Sequence, residues 1–364
     1  MSINVEDYFA RATFDKMKAF ADKQETPFVV IDTAMISQAY DDLRAGFEFA
    51  KVYYAVKANP AVEIIDLLKD KGSSFDIASI YELDKVMDRG VSADRISYGN
   101  TIKKSKDIRY FYEKGVRLFS TDSEADLRNI AKAAPGSKVY VRILTEGSTT
   151  ADWPLSRKFG CQTDMAMDLL ILARDLGLVP YGISFHVGSQ QRDISVWDAA
   201  IAKVKVIFER LKEEDGIHLK LINMGGGFPA NYITRTNSLE TYAEEIIRFL
   251  KEDFGDDLPE IILEPGRSLI ANAGILVSEV VLVARKSRTA VERWVYTDVG
   301  KFSGLIETMD EAIKFPIWTE KKGEMEEAVI AGPTCDSADI MYENYKYGLP
   351  LNLSIGDRLY WLST

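Results

Sequence analysis

Histidine and cysteine are scarce in this 364-residue chain, with two of each. His186 and His218 are too few to build a histidine-based metal centre, so no metal is expected. Cys161 and Cys335 offer no disulfide framework and suggest a reducing, cytoplasmic setting. No run of about 18 uncharged apolar residues occurs, which excludes a transmembrane helix. The opening residues Met1-Ser2-Ile3-Asn4-Val5-Glu6-Asp7 lack the basic and apolar regions of a secretory signal. There is no low-complexity linker and no repeat of fixed short period. Positive charge is also in deficit, with a net charge of −11, which disfavours a nucleic-acid backbone as partner and is compatible with a cationic substrate.

What remains is an ordinary globular composition, 46% hydrophobic and 28% charged, on a chain long enough for one large core and a smaller one. From about residue 50 to 270, short apolar runs alternate with longer amphipathic stretches. The runs are Val52–Val56, Ser74–Ala78, Ile96–Tyr98, Leu118–Ser120, Val139–Leu144, Ile183–Val187, Leu219–Met224 and Ile261–Leu263. Helical patterns such as Ala61–Lys71, Ser79–Arg89, Met165–Leu176 and Val196–Glu214 separate them. Strands alternating with helices imply a parallel sheet with crossovers, and eight units fit an α/β fold of the (β/α)8 barrel type, usually about 250 residues. A doubly wound open sheet has the same local pattern. After residue 270 the runs Ala273–Ala284, Glu292–Thr297, Pro316–Thr319, Glu327–Ala331 and Asp357–Leu362 have few helices between them and read as an antiparallel β domain. The division expected is a barrel over 28–270 and a β domain from 1–27 plus 271–364, with Phe28–Ile31 able to join either unit.

Chemistry gathers where barrel strands end, the usual place for catalytic groups in such a fold. The first strand ends in Lys57, and the second runs into Asp76. A lysine at the mouth of a buried strand has a partly desolvated amine, which lowers its pKa and suits it to imine formation. The bland alternative is a lysine that caps the strand and snorkels to water. The fifth strand carries Arg142, and the sixth ends in His186-Val187-Gly188-Ser189. The seventh ends in Gly225-Gly226-Gly227-Phe228-Pro229, whose glycines leave backbone N–H groups open to wrap an anion. The eighth ends in Glu264-Pro265-Gly266-Arg267, where the arginine can hold a phosphate in a fork of donors. Glu264 beside a phosphate site makes sense opposite a cation such as a pyridinium nitrogen. His186 can stack on a planar ring, although a lone histidine on an apolar strand is more often a core residue. Together these groups describe a site for pyridoxal 5'-phosphate.

On these motifs the sequence resembles the fold-type III pyridoxal-phosphate decarboxylases, the ornithine, lysine, diaminopimelate and arginine decarboxylases, over Pro27 to Leu362. The resemblance implies an alanine-racemase-like barrel with a β domain. It also implies that Lys57 carries the cofactor, that His186 stacks on its ring and that Ser189 and the glycines bind its phosphate. Glu264, Gly266 and Arg267 match the elements for the ring nitrogen and the phosphate. Gly332-Pro333-Thr334-Cys335-Asp336-Ser337-Ala338-Asp339 matches the segment with the proton-donor cysteine, which in this family enters the partner's active site, so a homodimer with shared sites is implied. Lys158 of one chain is expected to pair with Asp339 of the other. The family pattern continues past Leu362 with a Gly-Ala-Tyr-Thr-like turn and an Asn-Gly-Phe segment, which the sequence does not contain after that point.

The stretch Gly304–Pro316 aligns with the substrate-selecting helix of the family, placing Asp310 where ornithine enzymes hold the distal amine, with Asp336 as a second acid. This favours a basic diamino acid, most simply ornithine giving putrescine and also lysine giving cadaverine. The two differ by one methylene, worth only about 1–3 kcal/mol in a pocket. Diaminopimelate or arginine decarboxylases, a racemase on the same barrel and a non-catalytic homologue binding a partner protein are the alternatives.

Overall fold

The computed structural model describes residues 3–145, 150–155 and 158–364. All eight apolar runs become strands: Ala50–Ala55, Ser74–Ile77, Ile96–Tyr98, Leu118–Thr121, Lys138–Arg142, Val179–Ser184, Leu221–Asn223 and Glu260–Leu263. They pair in parallel and close, with Ile261 of the last aligned on Ala50 of the first, so the open-sheet alternative falls. Tyr53, Tyr140, Tyr181, Leu221 and Ile262 form one buried cluster from five of these strands, which fills the barrel as packed core.

The crossover helices follow the apolar spacing and their caps. Ser79 opens the helix Ile80–Asp88, its hydroxyl accepting the Glu82 N–H at 3.3 Å while the Glu82 carboxylate accepts the Ala78 N–H at 2.7 Å. The Ser79 cap contributes about 1 kcal/mol. Leu83 and Val86 of that helix are fully buried. The sixth strand lies earlier than expected, running Val179–Ser184 instead of Ile183–Val187. Pro180 and Gly182 disguise its start as a turn. Beyond its end Phe185 N–H still bonds Asn223 O at 3.0 Å, but His186 lies outside the strand.

The chain divides into two compact units, one of 37–229 and 237–269, the other of residues up to 36, 230–236 and 270–364. The boundary expected at residue 28 is therefore corrected. Phe28–Ile31 pairs antiparallel with Gly274–Arg285, because a four-residue apolar strand carries no mark of which sheet it will join. The second unit has a seven-stranded sheet that is mixed rather than wholly antiparallel. Arg293–Thr297 pairs in parallel with Met325–Ala331, and the connection between them is long enough for the crossover that parallel pairing needs. Its strand Ile340–Pro350, which slips register twice against Met325–Ala331, has no counterpart among the apolar runs of the sequence.

Period-two patterning builds the two faces of this sheet. Ile275, Val277, Tyr360 and Leu362 pack with Phe14, Met17 and Ala21 of the N-terminal helix Arg11–Ala21. Leu276, Leu359 and Trp361 point the other way, into a cluster with Phe315 and Tyr342. Truncating Phe14, whose ring meets Trp318 edge-on at 5.0 Å, would cost about 3–5 kcal/mol. Among the described residues, no helix is long and apolar enough to cross a membrane.

Candidate active site

The residues singled out at the strand ends of the barrel unit fall into two groups, one suited to an anion and one carrying opposed charges. The anion group begins with Gly225-Gly226-Gly227. Phe228 anchors this loop, its ring lying 5.6 Å from Phe47 and 5.5 Å from Trp197. Side chains are excluded here: a Cβ on Gly225 would come within 2.5 Å of Phe185 O, and one on Gly226 within 2.6 Å of Glu264 O. Gly225 and Gly227 also sit at φ 62° and 107°, in left-handed backbone that favours glycine. The Gly225 N–H is used by Asn223 Oδ1 at 2.9 Å. Those of Gly226 and Gly227 bond no other described residue. Arg267 brings its fork to the same group, Nε and Nη2 each donating to Ser189 Oγ at 3.1 Å. The Ser189 oxygen is thus occupied as an acceptor, and its hydroxyl hydrogen is left to donate. Gly266 completes the turn between Glu264 and Arg267.

The charged group contains Lys57, Asp76, Arg142, His186 and Glu264. Lys57 does not end the first strand; it lies in the 3-10 turn Val56–Ala58 and is exposed. The strand stops at Ala55, where the ladder ends and the Ala55 N–H turns to Pro265 O at 3.0 Å. Asp76 accepts the Ser97 hydroxyl at 3.2 Å. Burial, then the Glu264 charge, raises its carboxyl well above the usual range. Gly99 lies so close to Asp76 Oδ1 that a Cβ there would sit 1.9 Å away. Arg142 is half-buried, and burial pulls its pKa down while Glu264 opposes the shift. His186 is pushed well below the ordinary imidazole value by burial and then by Arg142 and Lys57, so it is neutral. Its Nδ1 accepts the Gly188 N–H at 3.0 Å, which leaves the proton on Nε2.

Glu264 is oriented by Asn223, whose side-chain amide donates to Oε1. Burial raises the Glu264 carboxyl, against the pull of Asn223, Arg142 and Lys57. Asn223 is fully buried and does not stand out in the sequence as a site residue. Its one signal is an amide inside an otherwise apolar strand. Tyr140 is hidden for the opposite reason, looking like core; its phenol is raised by burial and by Glu264 and Asp76.

These residues fit pyridoxal phosphate. The glycine cradle admits no side chain and offers two N–H groups beside an arginine and a serine, the donor set a phosphate takes. A carboxyl raised by burial and held by one neutral amide has capacity for a cation, such as a protonated ring nitrogen.

Asp310, Cys335 and Asp336 belong to the other unit. Asp310 is exposed, in a single turn, Ile306–Glu311, that is broken at Met309 and is not a regular helix. Cys335 and Asp336 are exposed on the loop after Met325–Ala331. Asp336 Oδ1 caps the Ala338 N–H at 2.9 Å. Asp339 is 3% exposed and its carboxylate is engaged by the Lys301 N–H and by the Thr334 N–H and hydroxyl. Cys161 is half-buried and its thiol is pushed up to about 12 by burial, which makes it inert.

A family model described as pyridoxal-dependent decarboxylase, pyridoxal binding domain, matches residues 33–271. The lysine/ornithine decarboxylase of Selenomonas ruminantium is 32% identical over 350 residues, 96% of this chain and 86% of that protein. Antizyme inhibitor 2 of Xenopus laevis is 31% identical, covering 91% of this chain and 75% of that protein. Among solved structures, that of SrLDC in complex with PLP and cadaverine matches 100% of this chain and 89% of that chain at 30% identity, with a TM-score of 0.86. Pyridoxal phosphate is the cofactor that both the donor set and these matches call for, and the chain belongs to the fold-type III pyridoxal-dependent decarboxylases.

Proposed function

We propose that this protein decarboxylates a basic diamino acid, ornithine to putrescine and also lysine to cadaverine, as a cytoplasmic homodimer with shared active sites. The observation that carries the chemistry is Glu264, held by a buried amide at the end of the strand that leads into Gly266-Arg267. Pyridoxal phosphate, when bound, supplies an electron sink for the pair left behind as carbon dioxide departs. Lys57 is the amine that binds the cofactor and yields it to the substrate. Glu264 keeps the ring nitrogen protonated, Asn223 keeps Glu264 aimed, and neutral His186 stacks on the ring. Gly226, Gly227, Ser189 and Arg267 hold the phosphate. Asp76 and Arg142 set the charge around Lys57 and Glu264. Cys335 of a second copy holds the proton that its Sγ gives to the substrate α-carbon, and Asp310 with Asp336 receives the distal ammonium.

The antizyme-inhibitor relative favours a second reading, a non-catalytic homologue that binds a partner protein. Against it, Lys57, Cys335 and the Gly225–Gly227 cradle are all intact. A panel of ornithine, lysine, arginine and diaminopimelate with diamine detection separates the readings. Ornithine and lysine are expected to turn over, together with a visible cofactor absorbance that Lys57→Ala removes. Absorbance without turnover of any of the four would overturn the proposal.

A further inference from the structure

The residue after Asp310 is bound in a way that the proposed reaction does not account for. The strand Ile340–Pro350 leaves register with Met325–Ala331: Ala328 faces Tyr347 while Ile330 faces Tyr342, so two steps on one strand span five on the other. A bulge of this kind frees backbone N–H groups from the ladder and leaves them open to another acceptor. Three of them converge on the Glu311 carboxylate. Oε1 accepts from Glu343 N at 2.7 Å and Asn344 N at 2.6 Å, and Oε2 from Tyr345 N at 2.9 Å. Successive N–H groups turned to one side form an anion nest, here filled by a side chain of the same unit. Burial pushes the Glu311 carboxyl up, but the three donors pull it below the usual carboxylate range, so it stays charged.

The same strand also fixes the backbone from Ile313 to Phe315. Tyr342 donates its hydroxyl to Ile313 O at 2.7 Å and accepts the Phe315 N–H at 3.1 Å, and Tyr347 donates to Phe315 O at 2.7 Å. Asp310 stands at the edge of this fixed segment, exposed, with φ 53°, and Glu311 follows at φ 54°. Two consecutive non-glycine residues in left-handed backbone persist only where their surroundings over-determine them. The Glu311 clamp provides that constraint.

We propose that Glu311 is a positioning residue: seated in the bulge of Ile340–Pro350, it fixes the left-handed backbone of Asp310 and so sets where the Asp310 carboxylate meets the distal ammonium of the substrate. This role rests on the proposed function, in which Asp310 receives that ammonium. Because ornithine and lysine differ only in the reach of that ammonium, Glu311 also governs the choice between them.

The test is steady-state kinetics of the holoenzyme with ornithine and lysine for Asp310→Ala, Glu311→Ala, Glu311→Gln and the Asp310→Ala/Glu311→Ala double variant, with the cofactor absorbance as a check on loading. Glu311→Ala is expected to raise KM about tenfold with kcat changed less than about threefold, and to alter the ornithine-to-lysine ratio of kcat/KM. Glu311→Gln keeps the oxygen that serves Glu343 and Asn344 and should recover most of that loss. The double variant should be no worse than Asp310→Ala alone, because a residue acting through another is silent once the other is gone. If Asp310→Ala itself leaves KM unchanged, the substrate role of Asp310 fails and takes that of Glu311 with it. If Asp310→Ala raises KM while Glu311→Ala leaves KM and the ratio at wild-type values, or while the two effects multiply in the double variant, only the Glu311 role is overturned. Should Glu311→Ala not fold, wild-type KM and ratio in both a folded Glu311→Gln and a folded Glu311→Asp, which shortens the reach to the nest, overturn it equally.

Discussion

Replacing Asn223 by alanine isolates the most economical device in the site. Asn223 makes two buried hydrogen bonds, one donated to Glu264 Oε1 and one accepted from the Gly225 N–H at 2.9 Å. The donation to Glu264 is the largest of the effects that hold its pKa down against burial. A hydrogen bond to a charged group is worth about 1.5–3 kcal/mol, and losing it lets the Glu264 carboxyl rise further. Glu264 acts as an anion, so activity is lost as pH falls through its pKa; removing the donor raises that pKa and moves the acid limb to higher pH. With ornithine near neutral pH, Asn223→Ala should lower kcat/KM about 10-fold to 150-fold, and the acid limb of the profile should move to higher pH. The orphaned Gly225 N–H costs a further 1–3 kcal/mol or so of stability, read as a lower Tm. Asn223→Asp keeps an acceptor for Gly225 but has no donor for Glu264, so it should share the kinetic defect. An Asn223→Ala enzyme with unchanged kcat/KM and an unmoved acid limb would refute the role of this amide.

His186 should make the barrel unit less stable in mild acid. Its folded pKa lies well below 6.5, so below about pH 6.5 the unfolded chain binds a proton that the folded chain refuses; stability should fall by at most about 1.4 kcal/mol per pH unit, and His186→Gln should flatten that slope in denaturant titrations. Gly226→Ala would push a methyl group to within 2.6 Å of Glu264 O, so titration with pyridoxal phosphate should give a Kd weaker by about tenfold or more, and a wild-type Kd would remove the cradle assignment. Lys57→Ala and Cys335→Ala subunits, each inactive alone, should recover roughly a quarter of wild-type activity when exchanged freely at equal ratio, since half the dimers are mixed and each has one intact site; no recovery despite proven exchange would place each site within a single chain.

The barrel was legible because its strands are short apolar runs set between helices, and a period change survives small errors at the ends. Lys57, Ser189, Glu264 and Arg267 were conspicuous for a related reason, as charged or hydroxyl groups just past apolar strands, and Asp76 and Arg142 as charges set within them. Signals that depend on a partner were not. Phe28–Ile31 has the same composition whether it joins the barrel or the seven-stranded sheet, and only its pairing with Gly274–Arg285 decides. The strand Ile340–Pro350 is hidden by Glu343, Asn344 and Lys346, which break the alternation because that part of the strand is bulged out of the ladder.

Asn223 and Glu311 share a property that explains why neither is conspicuous in the sequence. Neither is aimed at a substrate; each spends its polar atoms on other parts of the protein, and its importance lies in the residue it serves. Asn223 looks like an accident in the run Leu221-Ile222-Asn223-Met224, and Glu311 like one more acid beside Asp310. In the folded chain the first fixes a carboxylate and a glycine N–H at once, and the second closes a nest of three N–H groups. A side chain that serves two or more backbone or side-chain groups at once is costly to lose, most of all where, as at Asn223, the abandoned groups are buried and keep their desolvation penalty. Residues of this kind are chosen by geometry rather than by chemical type, so the sequence announces the groups that do chemistry more clearly than the groups that hold them in place.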